Sequence, residues 1–269
     1  MTTKELSVEI KSEILKMANK AKTSHVGSAL SIADILAVLY NEFIRFNEKD
    51  PNYVKRDRFI LSKGHACSAL YATLALKGFF ELKDLNNYAK NDSDYMTHVS
   101  HKVNGVEFST GSLGHGLPFA TGVSIALKNK NINSKVFVLI GDGELSEGSN
   151  FESILFAAHN KLKNLILIID NNNLQSLTTV DKTLNLYPFK SKFESFNWDF
   201  YSCDGNNVLE LSETINKIML SKKNTPKVLI AKTIKGSGVS FMENKVEWHY
   251  KSPNDHELKN ALKEIRNEK

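Results

Sequence analysis

Two predicted strands joined by a helix constrain the fold of this chain more than any other stretch of its sequence. Residues 136–140 and 165–169 are short runs of aliphatic and β-branched residues, and such runs between polar turns are typical of strands buried on both faces. Residues 149–161 place apolar side chains at helical spacing between them. Strands joined in this way lie parallel in one sheet. The sequence therefore predicts an α/β fold with a mostly parallel central sheet and helices on both faces.

Polar residues follow both predicted strands. Asp142 comes after the first strand, between Gly141 and Gly143, and Asn172 comes after the second. The carboxyl ends of neighbouring parallel strands meet at one edge of the sheet, where open α/β sheets bind ligands. Carboxylate and amide oxygens at that edge suit Mg²⁺ or Ca²⁺. The alternative is an ordinary strand-end turn, since Asp, Asn and Gly are common turn residues. The pairing of Asp142 with Asn172 across one βαβ unit favours the metal site.

The composition argues against several classes of protein. A length of 269 residues is ample for one compact domain, and the shares of hydrophobic (41%) and charged (24%) residues are typical of a soluble protein. The net charge is +5, but the lysines are scattered, so we expect no nucleic-acid binding. We also expect no membrane association, because no apolar run reaches membrane length. Cys67 and Cys203 form no C-x-x-C pair, which favours a reduced, cytoplasmic protein.

Four motifs resemble those of transketolases. The G-D-G at 141–143, followed by Asn172 thirty residues after its Asp, is typical of thiamine diphosphate enzymes, and the wording G-D-G-E-L-S-E-G is similar to transketolase. The others are S-K-G-H-A at 62–66, T-G-S-L-G-H-G at 110–116, and K-G-S-G-V-S-F-M-E at 235–243 followed by W-H. Because chance would have to produce all four, the resemblance is specific in combination. It implies the thiamine diphosphate-binding fold and covers the chain to about residue 262.

The resemblance implies thiamine diphosphate as the cofactor, bound together with Mg²⁺ (or Ca²⁺). The implied metal ligands are Asp142, Asn172 and the backbone carbonyl of Leu174. Gly143, beside the first of these ligands, is also implied to bind the cofactor. Two further cofactor contacts, against the thiazolium ring, are implied for Gly111 and Leu113.

Four histidines complete the site that the resemblance implies. His65 reaches the cofactor diphosphate, and His249 lies near both the diphosphate and a substrate oxygen. His25 and His98 polarise substrate oxygens or shuttle protons together with His249, so these three are the implied catalytic residues. His101 is the rival candidate for the position of His98. The alternative for a histidine taken alone is a buried, capping or surface imidazole.

Three further positions lie in these motifs and are not among the implied site residues. His115 stands where the family has glutamine, so it keeps a hydrogen-bonding side chain with a different reach. The resemblance places Glu147 at the contact between paired active sites, but a glutamate before a helix also complements the helix dipole. Glu144 receives no functional role.

Two local predictions concern segments outside these motifs. Ser31 is predicted to cap the second helix, with Asp34 completing a capping box. Residues 175–195 lack periodicity and are predicted to form a loop over the site.

The function implied by the resemblance is that of the N-terminal subunit of a two-chain transketolase. Residues 1–269 would form a single diphosphate-binding domain, with the pyrimidine-binding and C-terminal domains expected on a partner subunit. The two chains would assemble as an α₂β₂ heterotetramer, with the active site between them. The complex would transfer a two-carbon ketol unit from a ketose phosphate to an aldose acceptor, and this chain would be inactive alone.

Several other functions remain open at this point. A deoxyxylulose phosphate synthase or the α subunit of a 2-oxo acid dehydrogenase shares the G-D-G motif, but the glycine-rich segment before W-H favours transketolase. A nucleotide-binding Rossmann protein requires G-x-G-x-x-G, and residue 146 is Ser instead of Gly. A non-catalytic regulatory paralogue is the alternative outside enzymes.

Overall fold

The computed structural model describes residues 1–267, and five strands of these residues form one sheet. The strands are β1 (Arg58–Leu61), β2 (Val136–Gly141), β3 (Leu165–Asn171), β4 (Asp199–Asp204) and β5 (Lys227–Lys232). They lie in the order β1-β2-β3-β5-β4, and every neighbouring pair is parallel. The prediction of a mostly parallel α/β sheet is confirmed.

Helices surround this sheet in the described part of the chain. They are α1 (Thr3–Ala21), α2 (Val26–Ser31), α3 (Ala33–Val38), α4 (Cys67–Leu76), α5 (Gly116–Asn129), α6 (Gly148–His159), α7 (Val180–Thr183), α8 (Phe189–Ser195), α9 (Val208–Leu220) and α10 (Asp255–Arg266). The helix predicted for residues 149–161 is therefore present as α6, with bounds that differ by one or two residues. None of the helices in residues 1–267 combines the length and apolar character needed to cross a bilayer.

Two hydrophobic cores lie on the opposite faces of the sheet. Phe137 and Leu139 of β2 point into a core shared with α1, α3, α4 and α9, whereas Val138 and Ile140 point into a core shared with α5, α6 and α8. This alternation follows from the pleat of a strand, in which successive side chains face opposite sides. The prediction of helices on both faces is confirmed. Because both faces are covered, ligands can reach the sheet only at its ends.

The predicted helix cap at Ser31 is wrong. Helix α2 begins at Val26 and ends at Ser31, and α3 follows from Ala33. The Ser31 hydroxyl donates a hydrogen bond to Asp170 (2.6 Å) at the end of β3, and Asp34 pairs with residues of α1. Both polar side chains serve tertiary contacts that a capping pattern does not reveal.

The segment predicted as a loop at residues 175–195 is partly helical. It contains the short helices α7 and α8, and Phe189 and Phe193 of α8 are buried in the second core. Gln175 and Ser176 border the cavity described below, so only the start of the segment lies at the site. The aromatic residues anchor the remainder of the segment to the core.

Candidate functional site

The ends of β2 and β3 meet at one edge of the sheet, as the βαβ pattern predicted. Gly141 pairs with Asp170, and the Asp142 amide donates a hydrogen bond to the Asp170 carbonyl (3.1 Å). The Asp142 carboxylate accepts hydrogen bonds from the backbone amides of Gly143 (2.8 Å) and Asn173 (2.6 Å). The carboxylate is therefore held in place by the loops that follow both strands.

One cavity of about 320 Å³ at this edge brings all the sequence-predicted site residues together. They are His25, His65, His98, Gly111, Leu113, Asp142, Gly143, Asn172, Leu174 and His249. His101 is exposed, and its ring contacts Ser109 instead (Nδ1 to Oγ, 2.7 Å). The structure therefore groups His98, and not His101, with the other histidines.

The cavity offers oxygen atoms that fit a hard divalent cation. Its candidate ligands are the Asp142 carboxylate, the Asn172 amide oxygen and the Leu174 carbonyl. Asp142 is buried and forms no ion pair within residues 1–267. Burial and the nearby Asp170 carboxylate raise the pKa of Asp142 to about 6, so its ionised form costs more free energy here than in water. A bound Mg²⁺ or Ca²⁺ would offset this cost.

The described residues contain no alternative metal cluster of at least three His, Cys, Asp or Glu side chains. Asn172 supports the assignment of its oxygen as a ligand, because its nitrogen donates to Ser31 (3.2 Å) and Asp170 (3.1 Å). The amide oxygen accepts from the Leu174 backbone amide (3.1 Å) and keeps a second lone pair. The donor set is thus one carboxylate, one amide and one carbonyl.

Four imidazoles form a cluster on the wall of the cavity. The ring centroid of His25 lies 4.9 Å from that of His249, 5.2 Å from that of His65 and 5.7 Å from that of His98. Burial lowers the pKa of all four, to about 4 for His25 and about 3 for His249. These histidines are therefore neutral at neutral pH, and each neutral ring can donate one hydrogen bond and accept another.

The backbone of His25 is unusual for a residue with a side chain. Its φ is +71°, in the left-handed region, immediately before α2 begins. Its amide donates a hydrogen bond to the His249 carbonyl (2.7 Å), which fixes the two histidines side by side. Such conformations often occur at functional sites, where the surrounding structure maintains them.

Two buried lysines at the site were not predicted. Lys235 donates to the Gln175 carbonyl (2.9 Å) and lies 3.0 Å from the His249 Nδ1, and burial lowers its pKa to about 8. Lys63 donates to the Asp170 carboxylate (2.5 Å). Both lie inside motif segments, at 62–66 and 235–243, but the resemblance implied roles only for the nearby histidines His65 and His249. Lys235, which is not paired with a carboxylate within residues 1–267, suits an anionic ligand such as a diphosphate.

Glu144, which received no role from the sequence, holds the walls of the cavity together. It is buried, and its carboxylate accepts hydrogen bonds from the amides of Gly114 (3.0 Å) and Gly141 (3.3 Å) and from the Ser62 hydroxyl. These donors belong to three different motif segments. The side chain is therefore part of the framework that positions Leu113 against the cavity.

Close backbone contact explains one glycine of these motifs. A Cβ on Gly64 would lie 2.3 Å from the Thr110 carbonyl oxygen, which is far too close for a side chain. Segments 62–66 and 110–116 can therefore approach each other only with glycine at this position.

Of the residues whose roles were open, Glu147 lines the cavity, and His115 is exposed with its Nδ1 3.0 Å from the Leu113 carbonyl.

Comparison with known protein families decides the relationship that the site suggests. Residues 4–266 match the family described as "Transketolase, thiamine diphosphate binding domain". The chain belongs to this transketolase family. The predicted resemblance is confirmed, and the family match favours transketolase over the 2-oxo acid dehydrogenase and Rossmann alternatives.

Transketolase subunits of similar length are among the relatives. The chain is 42% identical to an apulose-4-phosphate transketolase subunit of Actinobacillus succinogenes, covering 93% of this chain and 91% of that protein. It is 33% identical to a 6-deoxy-6-sulfo-D-fructose transketolase subunit of a Clostridium species, covering 94% and 92%. Transketolase of Campylobacter jejuni has the same fold, with a TM-score of 0.90 and 30% identity over 98% of this chain. This chain spans 42% of the Campylobacter protein.

We expect the free energy of unfolding of this transketolase-family chain to fall as the pH is lowered from about 6.5 to about 4. The pKa of His25 falls from its ordinary value of 6.5 to about 4 in the folded protein, mainly because of burial. At His25 the unfolded chain binds more protons in this range, so the stability contributed by neutral His25 is present above pH 6.5 and is lost toward pH 4. Urea unfolding at several pH values measures this slope.

Comparison of two single variants isolates the contribution of His25. His25→Gln is expected to unfold with a shallower pH dependence, because the titrating group is absent. His101→Gln, at an exposed position, should keep the original slope. Identical slopes for His25→Gln and the unsubstituted chain would contradict the prediction.

Proposed function

We propose that this chain is the diphosphate-binding subunit of a two-chain, thiamine diphosphate-dependent transketolase. The observation that carries the proposal is the single cavity at the ends of β2 and β3. It combines three oxygen ligands for a cation with four neutral histidines and two buried lysines. Membership of the transketolase family supports the same conclusion.

The proposed cofactor site uses the residues at the sheet edge. Asp142, Asn172 and the Leu174 carbonyl would hold Mg²⁺ or Ca²⁺, with Gly143 and His65 beside the diphosphate. The loop with Gly111 and Leu113 would lie against the thiazolium ring. When bound, thiamine diphosphate supplies an electron sink for cleavage of the carbon–carbon bond beside a carbonyl group.

His25, His98 and His249 are the proposed catalytic residues. In their neutral form they can donate hydrogen bonds to the carbonyl and hydroxyl oxygens of a sugar, and they can accept protons from it. In the overall reaction, a ketose phosphate loses a two-carbon ketol unit and leaves as a shorter aldose. The acceptor aldose becomes a ketose that is two carbons longer, so the reaction involves no net oxidation.

The partner is proposed to be a C-terminal transketolase subunit that carries the pyrimidine-binding domain, in an α₂β₂ heterotetramer. Support comes from two relatives of similar length whose names describe them as one subunit of a transketolase. The assignment of residues 1–269 to one diphosphate-binding domain remains a prediction, and residues 268–269 lie outside the described part of the chain. A cytoplasmic location also remains a prediction, supported by Cys67 and Cys203, which are buried free thiols.

The donor sugar is proposed to be a ketose phosphate, with pentose phosphates as the first compounds to test. The named relatives act on different ketoses, so they support the reaction class and leave the individual sugar to experiment.

The test is a transfer assay with the full chain, its co-expressed partner subunit, thiamine diphosphate and Mg²⁺. Mass spectrometry should detect two-carbon transfer from a ketose phosphate to an aldose, and no product when either chain is assayed without the other. Removal of the metal and the vitamin should abolish transfer. Turnover of 2-oxo acids in place of ketoses, or undiminished transfer after chelation without added cofactor, would overturn the proposal.

A further inference from the structure

Asp170, at the end of β3, lies beneath the candidate metal ligand Asn172 and is fully buried, with 0% of its surface exposed. Its carboxylate accepts hydrogen bonds from four side chains. Lys63 (2.5 Å) and Asn172 (3.1 Å) donate to Oδ2, and Ser31 (2.6 Å) and Thr233 donate to Oδ1. Asp170 does not line the cavity, so its carboxylate reaches the site through these hydrogen bonds and through its charge.

The contact between Asp170 and Asn172 determines which end of the amide faces inward. An ionised carboxylate only accepts hydrogen bonds, so it requires the NH₂ end of the Asn172 side chain. That nitrogen also donates to the Ser31 hydroxyl (3.2 Å). The amide oxygen is thereby turned toward the Leu174 backbone and the cavity.

We propose that Asp170, held by Lys63 and Ser31, is a positioning residue that presents the oxygen of Asn172, and not its nitrogen, to the metal site. The proposal rests on the proposed function. An NH₂ group turned toward a cation would repel it and remove one ligand, whereas an oriented oxygen binds without reorganisation. Residues that orient metal ligands commonly have this influence on metal affinity.

Lys63 lowers the free-energy cost of burying the Asp170 carboxylate. A buried carboxylate is costly unless it is paired and hydrogen-bonded, and Lys63 supplies the charge for Asp170. The pair contributes no net charge, so its removal does not change the total charge near the cavity. This neutrality allows orientation to be separated from electrostatic attraction.

The experiment first removes the Lys63–Asp170 pair and then replaces Asn172 by a residue whose orientation does not matter. The full chain with its partner subunit is titrated calorimetrically with Mn²⁺ at saturating thiamine diphosphate. Lys63→Met combined with Asp170→Leu is expected to weaken Mn²⁺ binding about 10–100-fold. Adding Asn172→Asp to these changes is expected to restore binding to within about threefold, because a carboxylate presents an oxygen whichever way its plane turns.

The restored affinity separates the proposal from its alternatives. A damaged fold would not be repaired by Asn172→Asp, and the same substitution in the otherwise unsubstituted chain measures how much affinity the added charge supplies by itself. A gain there as large as the recovery would overturn the inference. The inference is overturned if the paired substitution changes affinity less than about twofold, or if Asn172→Asp gives no recovery. Absence of Mn²⁺ binding by the unsubstituted complex would instead overturn the proposed function, and this inference with it.

A smaller change tests the same idea while keeping both members of the buried ion pair. Ser31→Ala removes an acceptor of the Asn172 nitrogen and should weaken Mn²⁺ binding about three- to tenfold. Thr233→Val is the matched control, since Thr233 bonds to Asp170 and not to Asn172. Equal effects of the two substitutions would count against the orientation of Asn172 as the cause.

Discussion

The Asp142→Ala variant, assembled with the partner subunit, is expected to bind thiamine diphosphate and Mg²⁺ more weakly than the unsubstituted chain. The expected loss of affinity is about 10–100-fold or more. Asp142 is the only carboxylate of the proposed ligand set, and the Asn172 amide and Leu174 carbonyl are neutral. Without it, the cation would lose the ligand that best neutralises its charge. Calorimetric titration of the cofactor in the presence of Mg²⁺ measures the effect.

A second substitution controls for unspecific effects in that measurement. Asp50 is exposed, and Asp50→Ala removes the same kind of side chain without touching the cavity. Its cofactor affinity should equal that of the unsubstituted chain. Unchanged cofactor binding by Asp142→Ala, with the fold intact by circular dichroism, would rule out Asp142 as a metal ligand.

The Lys63→Met variant is expected to lose about 3–5 kcal/mol of unfolding free energy. Lys63 is 2% exposed and its partner Asp170 is 0% exposed, so the substitution leaves a buried carboxylate without its cation. The cost of burying an unpaired charge is far larger than the net value of the pair itself. Urea unfolding of the chain at neutral pH measures the loss.

An exposed ion pair provides the matched comparison for that prediction. Lys83 and Glu81 are 2.5 Å apart, but their side chains are 74% and 69% exposed. Lys83→Met should therefore change stability by only a small fraction of the effect at Lys63, because water solvates the remaining carboxylate. Adding Asp170→Leu to Lys63→Met should recover much of the lost stability. Similar losses at Lys63 and Lys83 would contradict the argument from burial.

The positions of the ligand-bearing strand ends could be predicted because the rules for parallel sheets are local and strict. Once the βαβ unit is recognised, Asp142 and Asn172 must emerge at the same edge. The motif resemblance then added His25, His65, His98 and other residues, which the structure places in the same cavity.

The supporting residues could not be found in the same way. Glu144 had no distinguishing pattern, yet its carboxylate joins three motif segments that are far apart in sequence. Ser31 fitted a capping pattern and was misassigned, because the competing partner Asp170 is 139 residues away along the chain. Such roles depend on which elements meet in space.

The sequence by itself determined the parallel α/β architecture, the family, and the sheet edge at which the candidate ligands gather. The reason is that hydrophobic periodicity and motifs can be recognised from residues that lie close together along the chain. The tertiary structure settled the choice between His98, which the resemblance implied, and its rival His101, and it alone showed that Lys63 and Asp170 pair beneath Asn172. The physical reason is that burial and charge pairing depend on the complete packing of the chain. The sequence around a lysine or an aspartate does not show which residue will pair with it in the protein interior.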